Sequence, residues 1–238
     1  MKQGSLLPFL LVFIVAWTLL PQARGQSDIT HQRLFDTVPF IPEHHARRLE
    51  QFAREPQRQG RIVFLGNSIT EMGDWKTLTG DSTVINRGIG GDITYGILQR
   101  LSLVTALKPS KIFLLIGIND IGKDIPPAMI VHNIGRIVDR IRQESPNTRI
   151  ILQTILPVNP YVRGFPQHYD KNDKVIQANV LLRKLAAEKG LPLVDLYAAF
   201  SDQQGYLRKE LTGDGLHLTP NGDGYRQWVA LLRKQGLL

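Results

Sequence analysis

The chain has 238 residues and no cysteine. That absence excludes disulfide staples, thiol nucleophiles, zinc–cysteine sites and iron–sulfur clusters. It also excludes a lipid-modified cysteine behind an N-terminal leader. Charge of one sign is scarce: 29 basic and 21 acidic residues leave a formal charge of +8. No internal repeat or low-complexity linker interrupts the chain after residue 26. With 42% apolar, 8% aromatic and 21% charged residues, the composition is that of an ordinary globular protein rather than a disordered, collagenous or coiled-coil one. A chain of this length can bury a substantial core as one domain.

One long apolar run is present, at the start. Lys2 precedes a stretch from Leu6 to Leu20, followed by Pro21, Gln22, Ala23, Arg24 and Gly25. The run is shorter than the roughly 20 residues that a membrane span needs. Its basic start and small residues at Ala23 and Gly25 predict a signal peptide over residues 1–25. The expectation is therefore a secreted or periplasmic protein without stable membrane insertion, folded as one domain over residues 26–238. Cleavage after Gly25 removes Lys2 and Arg24 and no acid, lowering the charge from +8 by two. Arg47, Arg48, Arg54, Arg58 and Arg61 alternate with Glu43, Glu50 and Glu55. Mixed signs of this kind mark a solvated helix face, not the basic stripe of a nucleic-acid reader.

Residues 61–66, 83–87, 111–117, 148–155 and 193–196 are short apolar runs rich in Val and Ile, bounded by Gly, Pro or Asn. Such runs predict buried parallel strands. Between them, Ile130, Ile134, Ile137, Val138 and Ile141 fall on one helical stripe within residues 127–144. Residues 173–189 and 221–234 also have helical period, and Gly190 suits a helix C-terminus. Residues 93–107 form a weaker pattern that Gly96 interrupts, and residues 31–59 suggest an N-terminal helix with a lead-in. Alternation of five strands with helices predicts an α/β fold, a three-layer αβα sandwich around a mostly parallel five-stranded sheet. Ligands in such folds sit beyond the carboxyl ends of the strands.

The chemically suggestive clusters all follow predicted strands or close the chain. Gly66-Asn67-Ser68-Ile69-Thr70 puts a serine at a strand-to-helix turn, where it can serve as a nucleophile or simply cap a helix. Thr70 excludes the G-x-S-x-G elbow. Gly88-Ile89-Gly90-Gly91-Asp92 allows close backbone approach to a ligand but fails the dinucleotide fingerprint at Ile93. Asn119, in Gly117-Ile118-Asn119-Asp120, can donate its amide to an anion or serve ordinary turn chemistry. Asp214 lies three residues before His217, close enough to orient its imidazole as a general base.

Together, in this order and spacing, the four blocks resemble those of the SGNH hydrolases, or GDSL-type esterases, over nearly the whole chain after the leader. Within that family the sequence is similar to the catalytic subunits of platelet-activating-factor acetylhydrolase and to bacterial carbohydrate O-acetylesterases. The resemblance implies the flavodoxin-like SGNH fold, with Ser68 as nucleophile and Asp214 and His217 as its partners. It further implies an oxyanion hole made by the Ser68 and Gly91 amides and the Asn119 side chain, and no cofactor or metal. Gly91 is chosen over Gly88 and Gly90 because the family's donor precedes the aspartate. Two positions depart from the family: Asn67 stands for the usual Asp, and Ile118 for a smaller or polar residue expected to affect the acyl side.

The expected activity is removal of a short acyl group, acetyl above all, from a glycan or small-molecule ester by a monomer or homodimer. A longer-chain lysophospholipase or thioesterase is the alternative, and a carbohydrate-binding protein without catalysis the third reading. Residues 157–171 form a long connection carrying Tyr161, Phe165, His168 and Tyr169, of a length that often marks binding loops. Tyr169, Trp75 and Tyr95 are candidates for stacking against a sugar. His44 and His45 are neighbours on a predicted helix and face different ways, so a metal site there is not expected.

Overall fold

The computed structural model describes Met1 and residues 42–162, 164–220 and 222–238. The expected signal peptide and the lead-in before residue 42 lie outside these residues. The elements run α1 (Pro42–Arg54), β1 (Ile62–Gly66), α2 (Ser68–Glu71), α3 (Trp75–Thr79), β2 (Ile85–Gly88), α4 (Thr94–Arg100) and α5 (Ser102–Thr105). They continue with β3 (Lys111–Leu115), α6 (Ile118–Gly122), α7 (Pro127–Glu144), β4 (Arg149–Gln153) and α8 (Asn172–Glu188). Last come β5 (Leu193–Val194), α9 (Leu196–Phe200) and α10 (Asp223–Lys234).

The five strands form one parallel sheet in the order β2-β1-β3-β4-β5. This is the flavodoxin-like order. Val63, Phe64 and Leu65 on β1 and Ile112, Phe113 and Leu114 on β3 are all buried, because helices cover both faces. Right-handed crossovers put the β1–β2 connection on one face and the connections from β2 onward on the other. Accordingly α4, α7 and α8 pack side by side, while α3 packs with α10.

The long helices follow their apolar stripes. All five aliphatic residues expected on one face of α7 are buried, as are Val175, Ala178 and Leu182 on α8. Gly190 ends α8 at φ +61°, and the Leu191 amide bonds the Ala186 carbonyl at 2.8 Å, the C-terminal geometry that glycine favours. The weak helix over residues 93–107 breaks at Leu101 rather than Gly96. There the Val104 amide turns to the Leu101 carbonyl, 2.9 Å away at three-residue spacing, a local tightening of the helical ladder.

Two expected sugar-stacking residues are core residues instead. Trp75 is 1% exposed and stacks on Phe64 at 3.8 Å, with Trp228 edge-on at 4.9 Å. Its indole N–H donates to the Thr70 carbonyl at 2.8 Å, so both its apolar face and its polar tip are occupied. Tyr95 is 2% exposed on the inward face of α4. Neither lines the cleft that holds Ser68. Truncating Trp75 to Ala is expected to lower stability by about 3–5 kcal/mol. Urea unfolding checks it, since loss of a surface stacking residue would leave the midpoint almost unchanged.

Candidate active site

The connections that leave β1 and β3 lie on opposite faces of the sheet, which opens a crevice at the carboxyl ends of these two neighbours. Ser68 stands at that point, at the start of α2. The turn before it is tight: a Cβ at Gly66 would come within 2.3 Å of the Leu115 carbonyl on β3. Asn67 caps α2 by accepting the Ile69 amide at 3.1 Å. A neutral carbonyl oxygen suffices for that bond, which accounts for Asn in place of Asp.

The loop before α10 brings in Asp214 and His217. Asp214 accepts the Leu216 and His217 amides through Oδ1, at 2.9 and 2.7 Å, and contacts His217 Nδ1 through Oδ2 at 2.7 Å. Partial burial pushes this carboxyl up, but the bonds from the His217 amide and imidazole and the Leu216 amide outweigh it and hold it below its ordinary value. The ionised carboxylate requires the proton on His217 Nδ1. His217 Nε2 is then an acceptor, and it lies 2.8 Å from Ser68 Oγ.

Across the crevice, Gly91 takes φ +77° after β2, a conformation that glycine adopts without strain. Its amide has no acceptor among the described residues, whereas the Gly90 amide is taken by Glu71 at 2.5 Å. Gly88 is needed for packing, since a Cβ there would come 2.2 Å from the Glu71 amide nitrogen. Asn119, on α6, donates to the Asp92 carbonyl at 2.9 Å, so it sits against the Asp92–Ile93 peptide, next to Gly91, with one N–H to spare. Asp92 and Arg100 form a buried ion pair at 2.8 Å. Burial pushes the Asp92 carboxyl up against the opposing pull of Arg100.

Ser68, Gly91, Asn119 and His217 line one cleft of about 1030 Å³, with Met72, Phe165 and Leu216 among its apolar walls. An arrangement of this kind can activate a hydroxyl and stabilise a developing oxyanion. Tyr169 does not join it. That side chain borders a separate shallow depression with Pro160 and Pro166, because the short helical turn Pro166–His168 directs His168 and Phe165 to the cleft instead. Ile118 is also a correction: it is buried in the core and lines no part of the cleft. Among the described residues, no three His, Asp or Glu side chains meet as a metal site would require. No helix among them is long and apolar enough to cross a membrane.

Four further residues line the cleft: Phe165 and His168, from the long connection expected to bind ligand, and Glu71 and His44, which the sequence did not point to. Phe165 packs edge-on against the His217 ring at 5.0 Å. His168 is buried, and desolvation holds its pKa down at about 4. Glu71 and His44 meet at 2.9 Å on the far wall. Of these last two, Glu71 alone carried a signal, its place in the helical turn that begins with Ser68.

The chain matches the GDSL-like lipase/acylhydrolase family over residues 64–226. It is 29% identical over 193 residues to platelet-activating factor acetylhydrolase IB subunit alpha2 of Rattus norvegicus, covering 78% of each chain. A solved structure from Streptococcus pneumonia, assigned as a platelet activating factor, aligns with TM-score 0.71 and 30% identity over 90% of this chain and 99% of that one. An acetyl xylan esterase structure aligns with TM-score 0.61 over 74% of this chain and 98% of that one; at 20% identity it shares the fold.

Asp120, beside Asn119, generates a pH prediction. It is fully buried, accepts the Thr94 amide at 3.1 Å and the Thr94 hydroxyl at 2.6 Å, and burial pushes its pKa up to about 7. An unfolded Asp titrates near about 3.9. Between these values the native state holds a proton that the unfolded chain has released, so this group makes stability fall as pH rises from about 4 to 7. Urea midpoints of wild type and Asp120→Asn across pH 4–8 should differ by a curve with that slope, flat above pH 7.

Proposed function

The chain belongs to the GDSL-like lipase/acylhydrolase family, and from that premise we propose that it is a serine ester hydrolase removing acetyl groups from carbohydrate esters outside the cytoplasm. The observation that carries the catalytic part is the continuous hydrogen-bonded run from Asp214 through His217 to Ser68, at 2.7 and 2.8 Å. In this reading Ser68 Oγ attacks the ester carbonyl while His217 Nε2 takes its proton. Asp214 fixes the tautomer and stabilises the imidazolium. The tetrahedral oxyanion receives hydrogen bonds from the Ser68 and Gly91 amides and the free N–H of Asn119. His217 returns the proton to the leaving alcohol, the acyl group remains on Ser68, and water attacks it with His217 again as base.

The acetyl preference draws support from the similarity to an acetylhydrolase subunit. The carbohydrate substrate and the extracellular setting draw on the leader pattern in residues 1–25. A second reading, hydrolysis of longer acyl esters, is favoured by the size of the cleft and by Met72, Phe165 and Leu216 in its walls.

Hydrolysis of 4-nitrophenyl esters from acetate to decanoate separates the two readings. The expected maximum is at acetate, with activity abolished in Ser68→Ala; a maximum at longer chains moves the substrate to lipid or thioester. Acetylated xylan and other acetylated glycans then test the carbohydrate. Failure of a fluorophosphonate to label Ser68, together with no ester turnover, would leave a binding protein. Loss of one oxyanion donor typically costs about 10²–10³ in turnover, and Asn119→Ala is expected to lose kcat by that order with little change in KM.

A further inference from the structure

The carboxylate of Glu71 joins three parts of the molecule at one wall of the cleft. Through Oε2 it accepts the Gly90 amide at 2.5 Å and His44 Nε2 at 2.9 Å; through Oε1 it meets Arg48 Nε at 3.1 Å. Arg48 also donates through Nη2 to the Gly88 carbonyl at 3.0 Å. The Gly88–Gly91 turn, whose Gly88 and Ile89 amides bond Asn86 Oδ1 and the Gly66 carbonyl, is thus further held by Arg48 on a carbonyl and by Glu71 on the Gly90 amide. Glu71 ends the helical turn that Ser68 begins, so the same side chain is rigidly tied to the nucleophile. His44 and Arg48 come from α1, which precedes the stretch matching the family, residues 64–226.

We propose that Glu71 is a positioning residue that aims the Gly91 amide at the reacting carbonyl, and that α1 is part of the catalytic apparatus because Arg48 and His44 hold Glu71 in place. The proposal rests on the esterase reading above. Its physical basis is the shape of the turn. Gly90 and Gly91 are consecutive glycines, Gly91 in a left-handed conformation, and such a peptide rotates at little cost unless its polar groups are fixed. Glu71 fixes the amide immediately before the proposed donor. The 2.5 Å bond is charge-assisted, the strong class of hydrogen bond. Glu71 is 20% exposed and Arg48 13%, so solvent competes only weakly for these contacts. Without the carboxylate, the Gly90–Gly91 peptide can turn and take the donor out of line, an ångström-scale displacement of the kind that lowers turnover.

The test measures kcat and KM on 4-nitrophenyl acetate and on 4-nitrophenyl thionoacetate for the wild type and four variants. Sulfur accepts hydrogen bonds poorly, so the ester-to-thionoester rate ratio reads the oxyanion contacts, which a purely structural defect would not move. Glu71→Ala should lose about 10- to 100-fold in kcat, less than deletion of a donor, with KM within about threefold and a reduced ester-to-thionoester ratio. Glu71→Gln keeps an oxygen for the Gly90 amide and should recover most of the kcat and the ratio. Arg48→Gln, on α1, should lose about three- to tenfold in kcat, since it loosens the turn without removing its acceptor. Arg54→Gln, on the exposed face of the same helix, should match the wild type.

A Glu71→Ala enzyme within threefold of wild-type kcat overturns the proposal. So does a loss of kcat with an unchanged ester-to-thionoester ratio. Should Glu71→Ala fail to fold, Arg48→Gln decides by the same two readings. A wild type with no ester turnover would instead overturn the esterase reading, which separates the two failures.

Discussion

The arrangement of the cleft depends on a guanidinium buried under it. Arg100, 3% exposed, donates through Nε to Asp92 at 2.8 Å and through Nη2 to the Gly66 and Arg87 carbonyls at 3.1 and 3.0 Å. Those carbonyls belong to the ends of β1 and β2, the strands that deliver Ser68 and Gly91. The Asp92 backbone carbonyl in turn receives Asn119 from the end of β3. One cation therefore ties together three strand ends. A buried pair of this kind contributes little net stability, but removing one partner strands a charge, at a cost of about 3–5 kcal/mol. Its effect is to fix geometry: the strand ends cannot separate without breaking bonds that water is not positioned to replace.

The opposite wall is held by backbone contacts. The Asn159 amide donates to the Gly215 carbonyl at 2.7 Å, and a Cβ at Gly215, where φ is +81°, would come 2.2 Å from the Val162 carbonyl. Gly164 packs on Asp214, whose Cβ would lie 2.7 Å from a Cβ there, and Phe165 packs on the His217 ring. The long segment after β4 thus buttresses the Asp214–His217 loop, and it also presents Phe165 to the cleft. From below, the Tyr225 hydroxyl on α10 donates to the Ile69 carbonyl at 2.7 Å, linking the last helix to the turn that carries Ser68.

What the sequence discloses follows from how local each signal is. Burial periodicity identifies β1 to β5 and the stripe on α7, because a strand covered on both faces and a helix covered on one must be written in consecutive residues. Asp214 and His217 are legible for the same reason, three residues apart on one loop. The contact of Glu71 with His44 spans 27 positions, and no spacing rule announces it. Aromatic identity misleads in the other direction. Trp75 and Tyr95 lie just beyond strands whose ends form the cleft, but a large ring near a site is as useful to the core as to a ligand. Only the stack of Phe64, Trp75 and Trp228 decides between the two.

The asparagine before Ser68 fits the charge distribution of the site. Asn67 is 1% exposed, so an Asp there would carry a desolvated charge next to Ser68. Its capping bond to the Ile69 amide asks only for a carbonyl oxygen. The negative charge beside the His217 ring is instead that of Asp214, which accepts two backbone amides and contacts the ring. Asn67 therefore supplies the cap that the turn before Ser68 needs, without the cost of burying a second charge there.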